Sequence, residues 1–328
     1  MNQIPPGTTF LDWAAAHYFT AEGHEADPTN VKHNTSHKDA YSFENIGRVI
    51  LWDLDAQTIL NDFPFLNTQI PVLNYVGQDL RHVPYMKNSV TLAPIFGTNI
   101  PFRQDPQHHW QPTAYFVHES SLQCSFEIVF TDLNWALRSI WPSIPQPHDF
   151  VSLITVPGSN ARIYRKFLPD RATLKHDQNR DLLDQGPMPS FMPGEIKPRE
   201  KFNISWLDNY IQPDDNHMNV EMPSNKGRER EVLQVLSQLR FYMCECATHL
   251  MVMGNHPTYF HPVYGYIATD EQLVLVKRVP GPGNSKKLFV SRGFRWVPVN
   301  RLNNEVNGMM ALLYIHMLAS RNDGLATI

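Results

Sequence analysis

The chain has 328 residues, 42% of them hydrophobic and 18% charged, with 18 Phe, 12 Tyr and 7 Trp; this excludes a globally disordered chain and suffices for one large domain or two ordinary ones. The longest near-apolar run, Met309 to Ala319, contains His316 and is too short to span a bilayer. The first ten residues lack the regions of a signal peptide, and Cys124, Cys244 and Cys246 cannot build a disulfide framework, so the expectation is an intracellular protein, cytoplasmic or nuclear, with no membrane partner.

The net charge of −4 is divided unevenly. Residues 1–160 carry 7 Lys+Arg against 15 Asp+Glu, and residues 161–328 carry 21 against 17. A positive second half hints at a polyanion partner.

Along the chain, Phe10 to Thr20 reads as a short helix with Thr8 or Thr9 as N-cap. Val49 to Leu60 fits strand or helix. Residues 63–112, rich in Pro, Asn and Gln, predict long loops and short elements. Tyr115 to Val117 and Ser125 to Phe130 read as strands, and Asp132 to Ile140 as a helix stopped before Pro142. Phe150 to Val156 reads as a buried strand, paired with Ala161 to Leu168 across a turn at 157–160. Two polar loops, at 175–194 and 208–227, precede a long helix from Arg228 to Met253. On that helix Leu236, Leu239, Met243, Ala247 and Leu250 share one face, with Gly254 as a stop. A hairpin over 264–279, strands near 287–290 and 294–297, and a closing helix from Asn304 to Ala319 complete an α/β or α+β pattern. Cys244 and Cys246 on the long helix point about 200° apart, which argues against a shared zinc.

Three short features carry chemistry. Pro169-Asp170 ends the strand 161–168. Glu195 and Lys197 flank Ile196, and on a strand they project together while Ile196 points into the opposite core. Gln238 and Tyr242 lie four apart on one helix face. Carboxylates at neighbouring strand ends can share a hard divalent cation, which takes oxygen ligands. Such a cation lowers the pKa of a bound water, and Lys197 could orient that water or stabilise charge developing on a phosphate. Arg162, Arg165, Lys166 and Arg171 flank Asp170, Arg199 follows Lys197, and Arg240 approaches on the helix. Together they read as a phosphate-contacting rim.

Strand, Pro-Asp, loop, strand with acid-x-Lys, helix with QxxxY, then two strands: this order resembles the PD-(D/E)XK nuclease superfamily, and the helix resembles the QxxxY helix of its RecB-like members. The resemblance covers residues 115–328. Arg228 to Val279 and the closing helix are also similar to a group of uncharacterised fungal proteins with this fold. The resemblance implies a mixed sheet flanked by helices, with residues 1–114 as an N-terminal region of unknown role. It implies Asp170 and Glu195 as ligands of Mg²⁺ or Mn²⁺, Lys197 as the catalytic lysine, and Gln238 and Tyr242 as supporting residues. An acidic residue on an upstream helix often completes such sites, and Glu119, Glu127 and Asp132 are the candidates.

The first expectation is therefore metal-dependent phosphodiester hydrolysis of nucleic acid. A second is a reused fold that joins amino acids from aminoacyl-tRNA, as fungal arginine-containing cyclodipeptide synthases do. There a metal-free Asp170/Glu195 pair would grip an arginine guanidinium in bidentate fashion. A third is a non-catalytic interaction protein. The charge excess is small around the three features: residues 161–240 hold 13 basic against 12 acidic residues. A local phosphate or a tRNA end suits that balance better than extensive nonspecific DNA binding.

Overall fold

Thr9 opens the first helix, α1 (Phe10–Ala16), with a capping box: its hydroxyl accepts from the Asp12 amide at 3.0 Å, and Asp12 reaches back to the Thr9 amide. The computed structural model describes residues 7–17, 19, 46–70, 102–104, 110–112, 119–158, 168–176, 190–213, 227–245, 249–253, 256–279, 286–321 and 324–326. In chain order there follow β1 (Arg48–Trp52), α2 (Ala56–Asp62), β2 (Phe102–Gln104), β3 (Trp110–Pro112), α3 (Glu119–Ile140), β4 (Leu153–Pro157), β5 (Arg171–Lys175) and β6 (Met192–Ile196). Then come β7 (Ile211–Gln212), α4 (Arg228–Glu245), β8 (His249–Met253), β9 (His256–Pro262), β10 (Tyr264–Ala268), β11 (Gln272–Arg278), β12 (Lys287–Ser291), β13 (Phe294–Arg295), α5 (Gly308–Ser320) and β14 (Leu325–Ala326).

The centre is a nine-stranded mixed sheet in the order β4-β5-β6-β10-β11-β12-β1-β7, with β13 paired to β11. The β6–β10, β12–β1 and β1–β7 pairs are parallel, and the remaining pairs are antiparallel. Smaller sheets are β14-β9-β8 and the β2–β3 pair.

Helices cover both faces, as a sheet buried on both sides requires. On one face α1, α2, α3 and α5 pack into a single apolar cluster with Met192, Ile196, Tyr266 and Ala268 of the sheet. Every residue of α5 is buried, which fits a helix apolar around its whole circumference. Asn307 caps α5 by accepting from the Met310 amide at 2.9 Å, and its amide group donates to the Ala14 and Ala15 carbonyls, so one side chain serves α5 and the end of α1. On the other face α4 lays Val232, Leu236, Leu239 and Met243 against Ile267, Val274 and Val276. Residues 7–17 and 46–70, within the expected N-terminal region, build into this same sheet and core.

The elements depart from expectation at several places, among them β6 and β7, which begin inside segments expected as loops. Ser125 to Phe130, expected as a strand, lies inside the helix α3. The reason is a helical stripe of Leu122, Phe126, Val129, Leu133, Ala136 and Ile140, all buried. The long helix ends at Glu245, because His249–Met253 pairs antiparallel with β9. The partner of β4 in the sheet is β5, and the segment expected in that place lies, except for Leu168, outside the described residues, as does Tyr115 to Val117. Finally, α5 starts at Gly308, after Asn304 adopts a left-handed φ of 64° and Asn307 takes the cap. The expected hairpin at 264–279 and the strand at 287–290 are present as β10–β11 and β12. Among the described residues no helix is long and apolar enough to cross a membrane.

Candidate active site

Register brings the two carboxylates together. Arg171 of β5 pairs with Gly194 of β6, so the next position along, Asp170, stands level with Glu195 on the adjacent strand. Asp170 directly precedes β5, and the strand expected at 161–168 lies, except for Leu168, outside the described residues. Period-two alternation sends Met192 and Ile196 to the α3/α5 face and Glu195 to the α4 face. Lys197 follows Glu195, and its amide donates to the Ala268 carbonyl at 2.9 Å, which pins the chain just beyond β6.

The Lys197 ammonium lies 3.0 Å from Glu195 Oε2 and 3.8 Å from Asp170 Oδ2. Gln238 Nε2 donates to Glu195 Oε2 at 3.2 Å and to the Tyr242 hydroxyl at 3.1 Å. The five expected residues Asp170, Glu195, Lys197, Gln238 and Tyr242 thus meet in one place. The side chains of Glu195 and Lys197 are 1% and 6% exposed, whereas that of Asp170 keeps 17%, so the cluster opens to solvent at Asp170.

Asp170 is held from the other side as well. Its Oδ1 accepts from Gln123 Nε2 at 2.6 Å and its Oδ2 from the Ile196 amide at 2.8 Å. Of the upstream acids, Glu127 is the ion-pair partner of Arg171, the residue after Asp170. Asp132 is 2.9 Å from His17, and the Glu119 side chain lies outside the described residues.

The donor set suits a hard divalent cation. It offers carboxylate oxygens, and two carboxylates against one ammonium leave a net negative charge beside a path to solvent. Among the described residues no group of three or more His, Cys, Asp and Glu is arranged to hold a metal ion, so waters or substrate oxygens would complete the shell around Asp170 and Glu195.

Of the six residues expected as a phosphate rim, three are described, and each of those three faces elsewhere or is already paired. Arg171 is 3% exposed: its guanidinium pairs with Glu127, donates to the Gln123 carbonyl at 3.0 Å and stacks on Phe130 at 4.7 Å. It is an internal brace, tying β5 to α3 through Nη2. Arg199 is committed to Asp270 at 3.6 Å and Glu200 at 3.3 Å. Arg240 is about 200° round α4 from Gln238 and Tyr242. It lies beside Arg278, whose pKa is lowered by burial and further by this like charge. Arg162, Arg165 and Lys166 lie outside the described residues.

Sequence reasoning missed Gln123, Arg171 as a brace, and Tyr266. The signal for the first was the spacing of Gln123, Glu127 and Asn134 on one face of a helix that had been split into strand and helix. Tyr266 stands opposite Gly194 on β10, fully buried, and a Cβ on Gly194 would fall 2.2 Å from its ring. Burial, opposed by Arg171 and aided by Asp170 and Glu195, drives ionisation of the Tyr266 hydroxyl far upward. Among the described residues that hydroxyl has no hydrogen-bond partner.

Comparison of the chain with protein-family models, with curated proteins and with solved structures finds no match.

Proposed function

We propose that the protein hydrolyses phosphodiester bonds in nucleic acid, with Mg²⁺ or Mn²⁺ held by Asp170 and Glu195. The observation that carries this reading is the convergence of both carboxylates on Lys197, at 3.0 and 3.8 Å, with Gln238 and Tyr242 in support. A bound cation would supply Lewis-acid polarisation of the phosphate and a water of lowered pKa. Lys197 donates to the attacking water or to the phosphate oxygen on which charge develops. The hydrogen bond from its backbone amide to the Ala268 carbonyl and its ion pair with Glu195 fix where the ammonium sits. Gln238 holds Glu195 Oε2 and so limits the carboxylate to one orientation. Asp170, the most exposed of the three, faces the entry side.

The tRNA-dependent alternative would use the same carboxylate pair, beside Lys197, to grip a substrate guanidinium without a metal.

The test is incubation of the purified full chain with single- and double-stranded DNA and RNA, with Mg²⁺, Mn²⁺ or chelator. Cleavage is expected only with a divalent ion, and Asp170→Asn and Lys197→Met should each lower it by about 10²- to 10⁴-fold. Absence of cleavage of every substrate with either ion ends the reading. Metal-free formation of a diketopiperazine from aminoacyl-tRNA replaces it.

A further inference from the structure

Helix α3 presents a polar stripe to the edge of the sheet. Gln123, Glu127, Phe130 and Asn134 are spaced four, three and four apart, which places them on one helical face. Each has a defined partner in β4, β5 or the turn before β5. Gln123 donates to Asp170 Oδ1 at 2.6 Å. Glu127 takes the Arg171 guanidinium, which also stacks on Phe130. Asn134 accepts from the Thr155 amide and donates to the Thr155 carbonyl, both at 2.8 Å. Fully paired polar contacts rigidify a packed face and specify one arrangement of it. The stripe therefore sets where along the sheet edge Gln123 stands.

We propose that Gln123 is a positioning residue for Asp170, the counterpart on α3 of Gln238 on α4. Each glutamine uses its Nε2 on one carboxylate of the pair, Gln123 on Asp170 at 2.6 Å and Gln238 on Glu195 at 3.2 Å, and the two helices lie on opposite faces of the sheet. Asp170 needs such a hold more than Glu195 does. It lies in a turn rather than a strand and is the more exposed of the two. Gln123 draws Oδ1 toward α3, and the Ile196 amide holds Oδ2 at 2.8 Å. With one donor on each oxygen, rotation of the carboxyl plane breaks a hydrogen bond, so the plane is fixed. Gln123 acts through Asp170.

Only the cation arm of the following test rests on the phosphodiester reading. Amide exchange at Ile196 reports the Asp170 bond directly, while exchange at Lys197, bonded to Ala268, serves as a local control. In the full chain, Gln123→Met should speed exchange at Ile196 about tenfold and leave Lys197 unchanged, with calorimetric Mn²⁺ affinity about tenfold weaker. Gln123→Asn, one methylene too short to reach, should do the same and serves if the first variant fails to fold. Exchange at Ile196 within twofold of wild type in either folded variant overturns the proposal, whatever happens to the cation. A wild-type chain that binds no Mn²⁺ but shows the Ile196 effect keeps the positioning role and ends the nuclease reading.

Discussion

Two polar networks packed against the sheet bury their side chains in different ways. On the α3/α5 side, His316 is fully buried with both ring nitrogens engaged: Nδ1 is 2.7 Å from the Leu312 carbonyl, and Nε2 is 2.7 Å from Thr155 Oγ1 and 3.2 Å from Thr173 Oγ1. Burial pushes its pKa down to about 4, so the network is neutral at ordinary pH. Near the α4 side, Asp170, Glu195 and Lys197 combine two carboxylates with one ammonium and open to solvent at Asp170. A closed neutral network adds specificity to a core. A buried charge imbalance with an opening can exchange its counter-charge, and that capacity, rather than polarity itself, marks a site.

Removing the counter-charge separates the two networks most strongly. Lys197→Met leaves two carboxylates without their ammonium and should lower unfolding free energy by about 3–5 kcal/mol. Thr173→Val in the neutral network should cost only about 1 kcal/mol, because His316 Nε2 keeps Thr155. Urea denaturation of both variants at neutral pH measures the difference. Equal losses would show that the two networks are energetically alike.

Titration is the next lever. The folded pKa of His316, about 4, lies below its ordinary value of 6.5, so the unfolded chain takes up the proton first as pH falls. The stability from this group is intact above pH 6.5 and is lost as pH falls through 6.5 toward 4. From neutral pH to about pH 5 the loss is about 2 kcal/mol. His316→Phe removes that share, so its stability should fall less steeply over the same interval. Parallel pH profiles for the two proteins would mean that His316 titrates in the folded state as it does in the unfolded chain.

Legibility in the sequence follows the same division. Glu195, Lys197, Gln238 and Tyr242 could be read because each relation is local: i, i+2 on a strand or i, i+4 on a helix. The buried strands β10 and β11 stood out because their apolar runs are short and bounded by turn residues. The contacts from α3 could not be read in the same way. Gln123 to Asp170 spans 47 positions and Arg171 to Glu127 spans 44, and no local period encodes such pairings. Phe126, Ile128 and Phe130 alternate as in a strand, and only the longer stripe from Leu122 to Ile140 reveals the helix. Arg171 misled for a related reason: a charge next to Asp170 reads as a surface contact until tertiary packing buries it.

Tyr266 is the residue that most nearly blurs the distinction. It lies on the α3/α5 side, packed 6.1 Å from Phe130 and 5.9 Å from His316, yet its hydroxyl lacks a partner among the described residues. Tyr266→Phe keeps the ring over Gly194 and removes only that oxygen. If the face is closed, no hydrogen bond is lost, and relief of the buried polar group should raise stability by about 1 kcal/mol in urea denaturation. A loss of similar size would mean that the hydroxyl carries a hydrogen bond in solution. Because burial holds the phenol neutral and Arg171, Asp170 and Glu195 all act on it, that bond would link the closed network to the charged one. The boundary between core and site would then run through Tyr266 rather than along the plane of the sheet.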